Sequence, residues 1–240
     1  MKRHFAGLTD TGVVRSVNQD AFHLDPDGRF FVVADGMGGH AGGQEASRIA
    51  TETIKTYLDD NWQTELTSPE LLEKAIWEAN QEIIDDQETH PERSDMGTTV
   101  VVLLFRNNEP WCGHIGDSRL YRFRNAMLEQ LTDDQTWVAR AMKMGDLTPE
   151  EARVHPWRHV LSQCLGRRDL QKVELQALEV LSGDCYLLCS DGLTEEVSDP
   201  EIQSFLASIA DYQSAAQQLI NTAKANGGSD NVTVVLVGQE

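Results

Sequence analysis

The stretch Phe30–Gly43, FFVVADGMGGHAGG, decides how the rest of the chain is read. Phe30 to Ala34 form a short apolar run rich in Phe and Val, the pattern of a buried strand. The run ends on Asp35 and breaks into a loop with glycine at 36, 38, 39, 42 and 43. So many glycines cost backbone entropy, which a chain tolerates where it bends sharply or approaches a ligand closely. Glu45, Ala46 and Ser47 then lead into a helical pattern. An acid at the end of a buried strand, facing a glycine loop, suits a metal or phosphate site. A capped strand–turn–helix corner gives the same local pattern, so the rest of the chain has to decide.

At 240 residues the chain is one large domain or two small ones. It carries 20 basic and 39 acidic residues, a net charge of −19, which argues against nucleic acid or an anionic membrane as partner. Cys112, Cys164, Cys185 and Cys189 form no CxxC and have no histidine pair at zinc spacing, so reduced thiols in a cytoplasmic protein are expected. The opening MKRHFAGLTD has charge but no apolar segment behind it, unlike a signal peptide. The longest apolar run, Val100 to Phe105, is too short to span a bilayer.

In chain order, Phe5–Thr9 and Ala21–Leu24 read as strands, with Arg15 between them. Gly43–Trp62 is a helical pattern with Ala46, Ile49, Ala50, Ile54 and Leu58 on one face. A second helix opens at Ser68, as N-cap before Pro69, and runs to about Gln87. Thr98–Phe105, Pro110–Ile115, Leu120–Arg124 and Met127–Leu131 read as a meander of short strands. The polar segment 132–168 departs from that pattern, with a capping box at Thr148–Glu151 and His155, Trp157 and His159 close together. It reads as an excursion from the sheet, a flap beside the site, with His159 placed to meet substrate. Strands resume at Val173–Leu178 and Cys185–Cys189. Helices capped at Asp199 and starting at Tyr212 follow, and Asn231–Val237 is the last strand.

Neighbouring strands on hairpin-length connections argue for antiparallel sheets. The expected fold is α+β: a four-layer α-β-β-α sandwich, two antiparallel sheets face to face with helices outside. The whole chain, 1–240, reads as a single domain.

The aspartates recur at strand ends. Asp35 sits in Ala-Asp-Gly, Asp117 in Gly-Asp-Ser, Asp191 in Ser-Asp-Gly and Asp230 in Ser-Asp-Asn, while Asp20 stands just ahead of a strand. One such Asp is ordinarily a turn or cap residue. Five converging on one rim would repel one another unless cations intervened. Oxygen-only ligands select hard ions such as Mg²⁺ or Mn²⁺.

These residues carry a resemblance. Arg15 with Asn18-Gln19-Asp20, then Val33 to Gly39 (VADGMGG), Met96-Gly97-Thr98-Thr99, Gly116-Asp117-Ser118-Arg119, Ser190-Asp191-Gly192-Leu193 and Gly228 to Thr233 (GSDNVT) resemble the PPM family of metal-dependent protein serine/threonine phosphatases. The motifs run in the family's order over nearly the whole chain and are most similar to its short bacterial members. The resemblance implies that Asp35 bridges two metals, that Asp191 and Asp230 complete the first, and that the Gly36 carbonyl serves the second. Asp20 would hold a metal-bound water, directly or from the outer shell. Asp117 matches a third-metal ligand and Arg15 the arginine that clamps substrate phosphate, which a guanidinium binds bidentately. The cofactors implied are two tightly bound Mg²⁺ or Mn²⁺ ions and a weaker third. Charge counting supports the third, since five carboxylates and a phosphate dianion outweigh two divalent ions. The expected reaction is direct attack on phosphorus by a hydroxide bridging the pair, with no covalent phosphoenzyme. The expected partner is a phosphorylated protein, with the PII nitrogen-signalling protein as a candidate, and the expected state is a monomer.

One departure stands out. Many eukaryotic members have a histidine after the Asp-Gly, proposed as general acid; Met37 occupies that position here, and His40 is the nearest histidine. Competing chemistries fit less well. No cysteine has the Cx5R spacing of a cysteine phosphatase, and Asp25-Pro26-Asp27-Gly28 runs into Arg29 rather than completing an aspartyl-phosphate motif. A two-metal phosphodiesterase would want a basic groove. A catalytically silent phosphoprotein-binding module would lack carboxylates that are all present.

Overall fold

The computed structural model describes residues 2–39, 42–107, 109–209 and 211–240. One sheet has the order β1 (Arg3–Asp10), β11 (Val232–Gln239), β10 (Cys185–Cys189), β7 (Arg119–Arg124) and β8 (Met127–Gln130). The other runs β2 (Asp20–Leu24), β3 (Phe30–Met37), β5 (Val100–Arg106), β6 (Glu109–Ile115) and β9 (Glu174–Ala177), with the short β4 (Gly97–Thr98) on the end of β3. All these pairings are antiparallel.

The two-residue period of a strand sorts the side chains into layers. Phe31, Val33, Val101 and Leu103 point inward and meet Tyr186, Leu188, Val235 and Val237 from the opposite sheet. Their neighbours Phe30, Val32, Val100 and Val102 point outward and pack under α1 (Gly42–Asn61) and α2 (Ser68–Thr89). Leu187, Val234 and Leu236 do the same on the other side, under α6 (Asp199–Ala207) and α7 (Tyr212–Asn226). This is the four-layer sandwich that the strand pattern implies. It explains why β3, β5 and β11 are apolar on both faces: each is covered twice.

Local boundaries differ in three informative places. β3 does not end on Asp35 but continues to Met37, because Gly36 and Met37 pair with Thr98 and Gly97. Gly36 is required there by a close approach: a Cβ would lie 1.9 Å from the Gly43 carbonyl oxygen. The N-caps of α2 and α6 are Thr67 and Ser198, each one residue earlier than expected, and each N–H donates to the Glu three residues on. A short helix, α5 (Asp191–Thr194), begins on Asp191 itself.

Segment 132–168 contains α3 (Trp137–Met144) and α4 (Pro149–Val154). A bridge between Thr136 and Leu161 closes its base, and one between Thr98 and Leu165 ties it to the body. Among the described residues no helix is long and apolar enough to cross a membrane.

Candidate active site

The same two-residue period that builds the core places the acids. Asp35 continues the inward series Phe31, Val33, and Asp20 continues the inward series Leu24, Phe22. The two are direct register partners across β2 and β3. Thr99 precedes Val101 and Leu103 on the same face; Ser190 follows Leu188, and Thr233 precedes Val235. The apolar inter-sheet layer therefore ends in polar side chains at one rim, and hydrogen bonds close it. Ser190 Oγ and Thr233 Oγ1 each donate to Asp20 Oδ2 at 2.7 Å, joining one sheet to the other. Thr99 Oγ1 lies 2.6 Å from Ser118 Oγ and accepts from the Asp35 N–H at 3.0 Å.

Above this floor stand Asp35, Asp117, Asp191 and Asp230. Asp117 and Asp191 line a cleft of about 1000 Å³ together with His159 and Glu195. Burial pushes the Asp35 carboxyl well above the usual carboxylate range, helped by the charges of Asp20, Asp191 and Asp117. Asp117 is raised well above its usual value by burial and by Asp191 and Asp134. Asp191 is raised by burial and by Asp230, although it shares a hydrogen bond with Asp35. Burial, with Asp191 and Asp230, lifts Asp20 to about 7 despite its two hydroxyl donors. Asp20 Oδ1 and Asp191 Oδ1 are buried with no hydrogen-bond partner.

Packed carboxyls with bare buried oxygens and too little positive charge are the chemistry of a divalent-cation site, so the residues fit Mg²⁺ or Mn²⁺. Gly36 is wedged against Gly43 beside them, its N–H donating to the Gln19 carbonyl at 3.1 Å.

Arg15 reaches the cluster from the loop before β2: its Nη2 lies 2.7 Å from Asp230 Oδ2. That bond, with the charges of Asp230, Asp191 and Asp35, holds its guanidinium pKa above the ordinary value. Asn231 anchors the loop. Its Nδ2 donates to the carbonyls of Thr11 and Val17 at 3.0 Å each, and its Oδ1 accepts from the Gln19 N–H at 2.8 Å. Sequence reasoning included Asn231 in a motif but gave it no task. The signal was its place directly after a candidate ligand.

His159 does arrive at the cleft. Its Nδ1 lies 2.7 Å from Glu195 Oε1, and one ligand atom from each of His159, Asp191 and Glu195 fall within 4.8 Å of one another. Glu195, lifted to about 7 by burial and by Asp191 and Asp230, went unnoticed in the sequence. The spacing Asp191–Glu195 is one helical turn, which puts both acids on one face. His155 and Trp157 lie apart from the acids: His155 stacks on Trp137 with ring centres 4.9 Å apart, and Trp157 meets Trp137 edge-on at 5.0 Å. His40 lies outside the described residues.

A sandwich rim bearing five aspartates and an arginine defines the metal-dependent protein phosphatases of the 2C family, and residues 13–233 match that family's model, so this chain belongs to it. It is 34% identical to the serine/threonine phosphatase stp of Listeria monocytogenes over 246 residues, 99% of this chain and 96% of that protein. It is 38% identical to the serine/threonine protein phosphatase PstP of Mycobacterium tuberculosis over 232 residues, 97% of this chain but only 44% of PstP. The crystal structure of M. tuberculosis PstP/Ppp superposes with a TM-score of 0.91 at 38% identity, covering 99% of each chain. A structure of the PstP catalytic domain in complex with two manganese ions superposes at 0.86 with 35% identity, covering 98% of this chain and 97% of that one.

Proposed function

We propose that this chain hydrolyses phosphoserine and phosphothreonine in proteins, using two divalent ions held by Asp35, Asp191, Asp230 and the Gly36 carbonyl, with Asp20 in support. The observation that carries the reading is the rim itself: acids brought together from both sheets, with Asp20 Oδ1 and Asp191 Oδ1 buried and unpartnered. Bound Mg²⁺ or Mn²⁺ supplies Lewis acidity, making water a competent nucleophile at neutral pH and neutralising phosphoryl oxygens. The chain's own residues do the rest. Ser190 and Thr233 hold Asp20 in one orientation. Arg15 exchanges its bond to Asp230 for the substrate's phosphoryl oxygens and turns phosphorus toward the cluster. Asp117, facing Asp191 across the cleft, is assigned to a third, weaker ion that takes part in turnover and not in building the pair. His159, held on Glu195, meets the protein part of the substrate.

Four further statements belong to this reading. Residues 1–240 act as a single catalytic domain, with 132–168 as its flap. The enzyme works as a cytoplasmic monomer. Its substrate is a phosphoprotein, for which phosphorylated PII is the first candidate to assay. The relatives' names, all serine/threonine or protein phosphatases, support the reaction class.

The test combines turnover of a phosphoserine peptide, with and without EDTA, and calorimetric metal titration. Wild type should lose activity on chelation. Asp35→Ala should lose both turnover and tight metal binding while keeping its circular dichroism spectrum. Asp117→Ala should lose one weak site and most of its kcat but retain the tight pair. Wild-type turnover that survives chelation would end the proposal.

A further inference from the structure

The turn Gly116-Asp117-Ser118 carries the chain from one sheet to the other, joining β6 to β7. A hairpin turn is held by the ladder of its own two strands. This one has no such ladder, because β6 pairs with β5 and β9 while β7 pairs with β10 and β8. Among the described residues no side chain donates to the Asp117 carboxylate, whose hydrogen bond comes from its own backbone. The residues on either side therefore set where Asp117 points.

Both flanks are bonded. Ser118 Oγ lies 2.6 Å from Thr99 Oγ1, and a Cβ on Gly116 would meet Thr99 Cγ2 at 2.6 Å, so the turn sits tight against the floor of the site. The start of the flap grips the turn as well. The Gln135 N–H donates to the Gly116 carbonyl at 3.0 Å, and Gln135 Oε1 accepts from the Gly116 N–H at 2.9 Å. One residue thus takes both polar groups of the glycine, as a ladder partner does in a sheet. Beyond Asp117, Arg119 donates twice to Asp134, from Nε at 2.8 Å and from Nη2 at 2.7 Å. Gln135 also receives the flap's returning leg, its carbonyl accepting from the Ser162 N–H at 2.7 Å. The two legs of the flap and the Asp117 turn meet at this residue.

We propose that Gln135 is a positioning residue for Asp117: its side-chain oxygen fixes the peptide ahead of Asp117 and so aims the carboxylate at the ion it holds. This rests on the reading above, in which Asp117 serves a third, weaker ion, and deepens it by naming what directs the ligand. Mg²⁺ and Mn²⁺ sites built from few protein ligands depend on each ligand's direction, because little else holds the ion. Residues that orient a ligand without touching the metal typically change affinity by about 10–100-fold when lost. The tight pair should be spared, since the bonding partners of Gln135, Gly116 and Ser162, adjoin none of Asp35, Asp191 and Asp230.

Calorimetric Mn²⁺ titration and the Mn²⁺ dependence of kcat on a phosphoserine peptide decide the matter, compared across wild type, Q135L, Q135E and D117A. Gln135→Leu keeps the bulk and removes the acceptor. Its weak-site Kd should rise about tenfold with the tight pair unchanged. The Mn²⁺ concentration giving half-maximal kcat should rise by the same factor, and kcat should return at saturating Mn²⁺. Gln135→Glu retains an acceptor oxygen and should keep the weak site. A purely structural role would lower Tm without moving the Mn²⁺ dependence. If Gln135→Leu fails to fold, Gln135→Asn, one methylene shorter, makes the same comparison. Wild-type weak-site affinity in the folded variant overturns the proposal, and so does an equal loss in Gln135→Glu. A weak site that survives in D117A instead refutes the assignment of Asp117 to the third ion, and the proposal falls with it.

Discussion

Asp20 is tied on one oxygen and bare on the other. Oδ2 takes hydroxyl bonds from Ser190 and Thr233, and Oδ1 is buried with no hydrogen-bond partner. A carboxylate so arranged can turn only one lone-pair face toward a ligand, which is what an ion with strict geometry requires. Thr233→Val keeps the shape and removes one tie. It should cost about 1–3 kcal/mol of stability, the range for losing a buried hydrogen-bond partner, and weaken metal affinity more than Ser208→Ala on the remote surface. Urea unfolding and metal titration on the two variants test this. A Thr233→Val protein with unchanged metal affinity would show that the hydroxyl holds the sheets together but not the ligand. The acids themselves were legible in the sequence: Asp35, Asp117, Asp191 and Asp230 stand among small residues beside strands, and Asp20 stands just ahead of one. Their partnership was not, since Asp20 meets Thr233 across a separation of 213 positions and no local pattern encodes that.

At the scale of elements, the loop before β2 and the flap are positioned in opposite ways. Asn231 secures the loop with three hydrogen bonds close to Arg15, so on the proposal that Arg15 clamps the substrate phosphate, Asn231→Ala should loosen that clamp without touching phosphate itself. Inhibition by inorganic phosphate should weaken on the order of tenfold, equivalent to about 1.4 kcal/mol, with KM for a phosphopeptide rising more than kcat falls. A fall in kcat alone would assign Asn231 to the metal side of the site. The flap meets the cleft through the His159–Glu195 pair. His159→Ala is expected to cut kcat/KM for a phosphoprotein several-fold while changing turnover of a small aryl phosphate less; equal effects on both would refute a role in selecting proteins. The strands and long helices were readable from period and punctuation. The end of β3 was not: Asp35-Gly36-Met37 looks like a strand breaking into a loop. Only β4, brought back from far along the chain as Gly97–Thr98, extends it. The shifted helix caps are a different kind of error, because Thr67 and Ser198 with Glu70 and Glu201 were visible as capping boxes and were passed over for the residue beside proline.

The whole molecule responds to pH through the cluster. Without metal, Asp20, Asp35, Asp117 and Asp191 all titrate above the ordinary carboxylate range, with Asp20 at about 7. The folded state thus keeps protons that an unfolded chain releases at about pH 4. Groups raised in this way contribute stability that is complete below the unfolded pKa and lost as pH climbs through the folded values. EDTA-treated protein should therefore melt higher at about pH 6 than at about pH 8. Saturating Mg²⁺ or Mn²⁺ should raise Tm more at the higher of these pH values, because ions compete with protons for the same oxygens. Thermal scans at both pH values check this, and a metal-free protein that melts higher in the more alkaline buffer would contradict it.

The bonds that orient Asp20 have a further consequence, one of timing. Its two donors lie 170 and 213 positions away along the chain, and β1 finds its neighbour only in β11, pairing Arg3 with Gln239. A ribosome makes Asp20 and Asp35 early, but Asp20 lacks the second of its two cross-sheet donors until the segment around Thr233 has left the exit tunnel. Contacts this distant also fold slowly once available. Until then the nascent chain carries both acids without the half of the site that would orient them. The enzyme is born without its metal centre and acquires it only after its last strand is made.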